Sequence, residues 1–206
     1  MRMRTLLCGT AMLGLLVPAG TGAAAPADKL PTLAKVQALF PAVTQRQVTT
    51  GADLQLQQDC LNYTVAAHPK KSVSGAYPEP PPIGPGAGGR PARVDVFTFK
   101  NAQRARKAWK KVRSYVQTCA GPHTDGTYTN TVTSLANPGL ADKSLAYQWG
   151  TTYVMPPNNV VLGAIGVHVV VQRDDRLVDA YYLTRAAPPA LATVRKLAKL
   201  ALKSSA

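Results

Sequence analysis

Residues 167–183 read VHVVVQRDDRLVDAYYL, and the way this stretch folds back on itself decides the architecture. Two runs of valine, leucine and tyrosine flank Arg173-Asp174-Asp175-Arg176, a polar tetrapeptide suited to a tight turn. With Asp174-Asp175 as a two-residue tip, the period of two along each strand sets every pairing. Val171 then faces Val178, Val169 faces Ala180 and Val167 faces Tyr182, so that side is apolar throughout and is predicted to be core. The other side sets His168 opposite Tyr181, Val170 opposite Asp179 and Gln172 opposite Leu177, which makes His168 and Asp179 diagonal neighbours. A carboxylate beside an imidazole can orient the ring or form part of a ligand site. A half-exposed polar face, common in antiparallel sheets, would carry the same residues with no such role.

Further strands are predicted upstream at Arg93–Phe99, 127–135, 144–154 and 160–172. Leu61, Tyr63 and Val65 alternate, which points to a strand beginning at Cys60, while Gln45–Gln58 is polar and has no decisive pattern. Residues 77–91, YPEPPPIGPGAGGRP, read as a long Pro/Gly-rich surface loop within the domain. A short helix after Pro31 is marked by Leu33, Val36, Leu39 and Phe40 and stops at Pro41. Pro188-Pro189 opens a last helix that buries Leu191, Val194, Leu197, Ala198 and Ala201. Few helices and consecutive strands give an α+β fold: a mainly antiparallel sheet packed by an amphipathic central helix and a C-terminal helix.

That central helix, Asn101–Cys119, divides into two halves. Ala102, Ala105, Trp109, Val112, Val116 and Cys119 fall in one arc, extended by Ala108 and Tyr115. Opposite stand Lys100, Arg104, Arg106, Lys107, Lys110, Lys111 and Arg113, with no acidic residue between Val96 and Thr124. Like charges at i,i+4 each cost a few tenths of a kcal/mol, which an anionic partner along the face would relieve. A solvated face held by the buried tryptophan is the other reading. The last helix repeats the theme with Arg195, Lys196, Lys199 and Lys203, where cations also suit the helix dipole.

The first 27 residues have the form of an export signal. Arg2 and Arg4 precede the apolar run Leu6–Val17, Pro18, Gly20 and Gly22 break it, and Ala25-Pro26-Ala27 offers a small-x-small cleavage pattern. The run is too short to cross a bilayer, which takes about 20 residues. Cleavage would leave residues 28–206 as a single domain and remove Cys8, so Cys60 and Cys119 would remain. Outside the cytoplasm two cysteines most simply form one bridge; two free thiols or a metal pair are the alternatives. Losing Arg2 and Arg4 lowers the net charge from +14 to +12, a surplus that attracts polyanions such as teichoic acid, anionic lipid or acidic glycan. Nucleic acid is not expected there.

Catalytic motifs are lacking. No G-x-S-x-G, H-E-x-x-H or phosphate-cradling glycine loop occurs, and His68 and His123 have no second ligand at metal spacing. Glu79 is the only glutamate, so paired-carboxylate chemistry would rest on aspartates, among which no pair stands out. No enzyme, cofactor or metal is expected, and a hydrolase built on His168 and Asp179 is the remote alternative.

The order of these features resembles a known family. An export signal, a short helix, a cysteine before a strand, a long loop and VDVFTF are followed by NAQRARKAW ending in QTCA, several strands, VHVVVQRDDRLVDA and a closing helix. This is similar to the PknH-like extracellular sensor domain of actinobacteria, over Leu33 to Leu202. The resemblance implies a mixed α/β fold with a cleft for an unidentified ligand, no catalysis, and a Cys60–Cys119 bridge. A second disulfide, frequent in that family, is missing here. The expectation is a secreted, non-enzymatic, ligand-binding domain of the cell envelope, with Trp149, His168, Asp179 and Tyr181 as candidate ligand residues. The alternative is a polyanion-adhering protein that uses the basic helix.

Overall fold

The computed structural model describes residues 29–206 apart from 58, 81–90, 142, 156–159, 186 and 189. The export signal at 1–27 and the middle of the Pro/Gly segment lie outside the described residues. In chain order the elements are α1 (Leu33–Gln37), β1 (Gln47–Thr50), β2 (Leu54–Gln57), β3 (Tyr63–Ala67), β4 (Lys71–Pro78), β5 (Pro91–Thr98), α2 (Ala102–Thr118), β6 (Gly121–Thr124), β7 (Tyr128–Ser134), β8 (Lys143–Met155), β9 (Val160–Arg173), β10 (Arg176–Thr184) and α3 (Leu191–Ser204). Eight strands form one sheet in the order β1-β4-β5-β10-β9-β8-β7-β6, every neighbouring pair antiparallel. β2 and β3 pair only with each other, as a separate hairpin.

The β9–β10 register is the one the Asp-Asp tip dictates. Val171 pairs with Val178, Val169 with Ala180, Val167 with Tyr182 and His168 with Tyr181. Asp174 at the tip takes the left-handed conformation (φ 51°), which aspartate tolerates better than most residues.

Alternation along the strands builds two cores. Val94, Val96, Val167, Val169, Val171, Val178 and Ala180 meet α1 and α3 on one face, where Val36, Val194, Leu197, Ala198 and Ala201 are buried. Phe97, Val132, Tyr147, Val170 and Leu177 meet α2 and the β2–β3 hairpin on the other. The sheet is therefore covered on both sides. On the second face, α2 and the hairpin roof the sheet, and His168 and Asp179 beneath them are partly buried.

Other differences from the sequence reading have local causes. The Pro/Gly segment is shorter than 77–91: Tyr77 and Pro78 end β4, Pro91 begins β5, and Tyr77 pairs with Ala92. β4 itself went unread because Ser72, Ser74 and Gly75 interrupt its apolar pattern. The strand expected from Cys60 begins at Tyr63, since Cys60 sits in a turn with φ 67°. Of the Leu61-Tyr63-Val65 alternation, Tyr63 is 59% and Val65 43% exposed, and Ala66 is the buried residue of β3. Gly121-Pro122, just past the end of α2, opens β6.

Tyr77 fastens the first helix to the sheet. Its side chain is fully buried, and its hydroxyl donates to the Pro31 carbonyl at 2.6 Å. Burial pushes the phenol up to about 12. Tyr77→Phe leaves that carbonyl without its donor, and the expected loss is about 1–2 kcal/mol of stability. Urea unfolding would show a lower midpoint at unchanged slope.

Candidate functional site

A cleft of about 400 Å³ opens between the inner ends of the sheet and its roof. Strands β5, β8, β9 and β10 supply the floor, β2 and Tyr63 of β3 form one wall, and Val112 and Tyr115 of α2 close the back. Trp149, His168, Asp179 and Tyr181, the four candidates from the sequence, all line this cleft. Their convergence follows from register: Tyr147, His168 and Tyr181 are cross-strand partners in turn on β8, β9 and β10.

Those three rings stack. His168 lies 4.6 Å from Tyr147 and 4.5 Å from Tyr181, centroid to centroid and nearly parallel. Its Nδ1 is 3.2 Å from both oxygens of Asp179. An ionised carboxylate only accepts, so it selects the tautomer with the proton on Nδ1 and turns Nε2 away from it. Gly166 makes room for this arrangement. A Cβ there would stand 2.7 Å from Leu183 Cδ2 and 3.3 Å from His168 Nε2.

The sequence reading found no carboxylate pair, yet the sheet makes one. Asp95 and Asp179 are directly paired across β5 and β10 and both line the cleft. They lie far apart in the chain, on strands that only the folded sheet brings together. Arg93 Nε donates to Asp95 Oδ1 at 3.0 Å, and its guanidinium lies 6.0 Å from the Tyr181 ring centroid. Burial raises the Asp95 carboxyl above its ordinary range, while Arg93 and a hydrogen bond from Ser74 pull it down and Asp179 adds to the rise. Burial likewise raises the Tyr147 and Tyr181 phenols, which remain neutral at physiological pH.

A carboxyl raised on folding stabilises the protein fully below its unfolded value, and that contribution is lost as pH climbs through the folded value. Asp95→Asn removes the dependence. Measured by urea unfolding from about pH 3 upward, stability of the variant should improve relative to wild type as pH rises above the ordinary carboxylate range, by about 1.4 kcal/mol per unit of the original shift. Parallel curves for the two proteins would contradict it.

Gln57, unmarked by any motif, organises the closed end of the cleft. It is 1% exposed, and its Oε1 accepts from Tyr115 Oη at 3.2 Å, Asn130 Nδ2 at 2.6 Å and Trp149 Nε1 at 3.1 Å. Its Nε2 donates to the Leu61 carbonyl at 3.1 Å and to Tyr128 Oη at 3.2 Å. Beside it Cys60 and Cys119 form a disulfide, and Asn130 Nδ2 also donates to the Cys60 carbonyl at 2.6 Å.

The basic helix stands outside the cleft. Lys100, Arg104, Arg106, Lys107, Lys110, Lys111 and Arg113 are all exposed, and among the described residues none makes an ion pair. Lys111 Nζ donates to the Ala66 carbonyl, tying α2 to β3, and Arg113 lies 5.7 Å from the Trp109 ring centroid. The helix begins with its first turn capped, Asn101 Oδ1 accepting from Arg104 N at 3.0 Å. Among the described residues no group of three or more His, Cys, Asp or Glu is placed to hold a metal, and no helix is long and apolar enough to cross a membrane.

Comparison with solved structures gives a match for this fold. The extracellular domain of PknH from Mycobacterium tuberculosis superimposes with a TM-score of 0.55 at 15% identity, over 86% of this chain and 91% of that one. The Rv0999 ortholog from Mycobacterium smegmatis gives a TM-score of 0.43 at 11% identity, over 88% of this chain and 99% of that one. No protein-family model matches the chain, and no curated protein matches it. The chain has a PknH-like α+β fold, with the central helix anchored by a disulfide.

Proposed function

We propose that this chain is an exported, non-enzymatic, ligand-binding domain of the sensor type, which receives a small molecule in the cleft. The observation that carries the reading is the convergence of Trp149, His168, Asp179 and Tyr181 on one cavity of about 400 Å³. That volume falls within the range of small-molecule sites, roughly 300–1,000 Å³. His168 is covered on both ring faces and bonded at Nδ1, an arrangement that fixes a wall rather than one that shuttles protons. The fold shared with an extracellular domain and the disulfide both support an extracytoplasmic setting. Thermal-shift measurement against fractionated envelope lipids and glycans tests the reading. A ligand at 100 times its Kd stabilises by about 2.7 kcal/mol, or roughly 5–10 °C for a chain of this size. No fraction raising the Tm would overturn it.

The seven exposed cations at α2 favour a second reading, adhesion to teichoic acid or anionic lipid. Anionic vesicles should then retain the protein at low salt and release it at high salt. Charge reversal at Arg106, Lys107 and Lys110 should do the same; Lys111 is left intact because it holds the hairpin. Salt-insensitive retention would exclude this reading.

A further inference from the structure

We infer that a second recess, at the end of the sheet where the β9–β10 hairpin turns, binds a phosphate ester through Arg106, Lys143 and Arg173. The recess measures about 350 Å³ and lies where α2 and β8 begin and β9 and α3 end. It goes beyond both readings above, lying apart from the cleft and sharing only Arg106 with the adhesive face of α2.

Strand register and helix period bring the three cations together from distant parts of the chain. Lys143 is the cross-strand partner of Gln172, and Arg173 follows as the last residue of β9. Ala102 and Arg106, one turn apart on α2, both line the recess. Side chains on a helix lean toward its N-terminus, which carries Arg106 over the turn where Ala102 stands. Gln172 is 7% exposed and its Nε2 donates to the Asp174 carbonyl at 2.7 Å, holding the wall beside Lys143 and Arg173 in place.

The charge there is unbalanced. Among the described residues neither Arg106 nor Lys143 makes an ion pair. Asp174 is the one acidic residue described in the recess. Its side chain is 86% exposed and stays 3.9 Å from Arg173 Nε, too far for a hydrogen bond. So exposed a pair holds Arg173 weakly. Asp175, next in the turn, lies against Arg176 instead, at 3.7 Å.

Three cations around one recess repel one another, and a single oxyanion between them relieves the repulsion. Two of the three are arginines, whose planar forks match phosphate oxygens with paired N–H donors. Leu140, Ala141 and Leu202 add an apolar side. The volume is more than one phosphate fills, so the ligand is an ester whose carbon portion rests on that side.

The purified protein is titrated with sn-glycerol 3-phosphate, sodium chloride holding the ionic strength constant, and the backbone amide of Ala102 and side-chain amide of Gln172 are followed by NMR. Both should shift saturably, with sodium chloride alone giving no such response. Arg106→Gln and Arg173→Gln should each raise the half-saturating concentration about tenfold or more, the loss expected for a charge-assisted hydrogen bond. Lys143→Gln provides the same comparison if either variant fails to fold. Lys35→Gln removes one exposed charge from α1, outside the recess, and should leave the titration unchanged. No saturable shift, an equal response to chloride, or equal losses from Lys35→Gln and the recess variants would overturn the site. Such a failure would leave the cleft to the envelope-fraction screen and adhesion along α2 to the salt-release test. Vesicles of phosphatidylglycerol in phosphatidylcholine then identify the carrier. Their release by Arg173→Gln at matched salt supports the site with a lipid headgroup as its ligand. Undiminished retention, with glycerol phosphate binding lost, supports it with a soluble or polymeric phosphate ester.

Discussion

Replacing Gln57 by leucine is expected to cost about 3 kcal/mol or more of folding stability, a large effect for a residue at no obvious motif. Leucine is close in size, so packing changes little and the loss is polar. Tyr115 Oη, Asn130 Nδ2 and Trp149 Nε1 all donate to the one oxygen that disappears. A buried donor left without an acceptor costs about 1–3 kcal/mol. Asn130 keeps the Cys60 carbonyl as a second acceptor, and Trp149 can turn toward water in the cleft. Tyr115, 8% exposed, is left with Asn130 alone, and the Leu61 carbonyl loses its donor from Gln57 Nε2. Urea unfolding should therefore show a markedly lower midpoint. Tryptophan emission should shift to the red in the folded state, since the indole of Trp149 is released from its anchor. Gln57→Glu tests the same hub from another side: it keeps the oxygen but adds a charge in a dry place, and it should also destabilise. If leucine cost less than about 1 kcal/mol, the three donors would have to find other acceptors, and the hub would be incidental.

The contrast between Gln57 and the β9–β10 hairpin shows what a sequence makes legible. In the hairpin a strict alternation and a two-residue tip fix every partner locally, so Val169 opposite Ala180 and His168 opposite Tyr181 followed from spacing alone. The amphipathic helix α2 was legible for the same reason, its buried set recurring at the helical period. Gln57 lies in a polar stretch with no period. It is buried only because Tyr115, Asn130 and Trp149, 58 to 92 positions away, all converge on it. The Asp95–Asp179 pair is hidden in the same way. Asp95 reads as an ordinary polar residue of an alternating strand and Asp179 stands out only beside His168, while their opposition is created by β5 and β10 becoming neighbours. The four ligand candidates were legible to the extent that they sit on strands of readable register. What spacing alone did not give was the roof of α2 and the hairpin, which turns a sheet face into a cleft.

Breaking the Cys60–Cys119 bridge is expected to have the other large effect, about 4 kcal/mol by the chain-entropy model for residues 59 apart. The loss should not be spread evenly. β2 and β3 pair only with each other, and an isolated two-stranded hairpin is marginal in water. What holds this one over the sheet is the disulfide to the end of α2, the Gln57 hub, Lys111 on the Ala66 carbonyl, and burial of Leu54, Leu56 and Ala66. The turn at Cys60 is itself shaped by Asp59, whose carboxylate accepts from Leu61 N at 3.1 Å and Asn62 N at 2.6 Å. Without the bridge, residues 54–67 should exchange amide hydrogens faster than the eight-stranded sheet, and protease should cut at Arg46 or Lys70 before any site in β9 or β10. Since Leu54, Gln55, Leu56 and Tyr63 wall the cleft, the same variant should lose ligand-induced stabilisation while the sheet is still folded. Reduction of the wild type and the Cys60→Ala/Cys119→Ala double variant should agree on all these readouts. Uniform loss of protection across the chain would show instead that hairpin and sheet unfold as one unit and that the bridge anchors both equally.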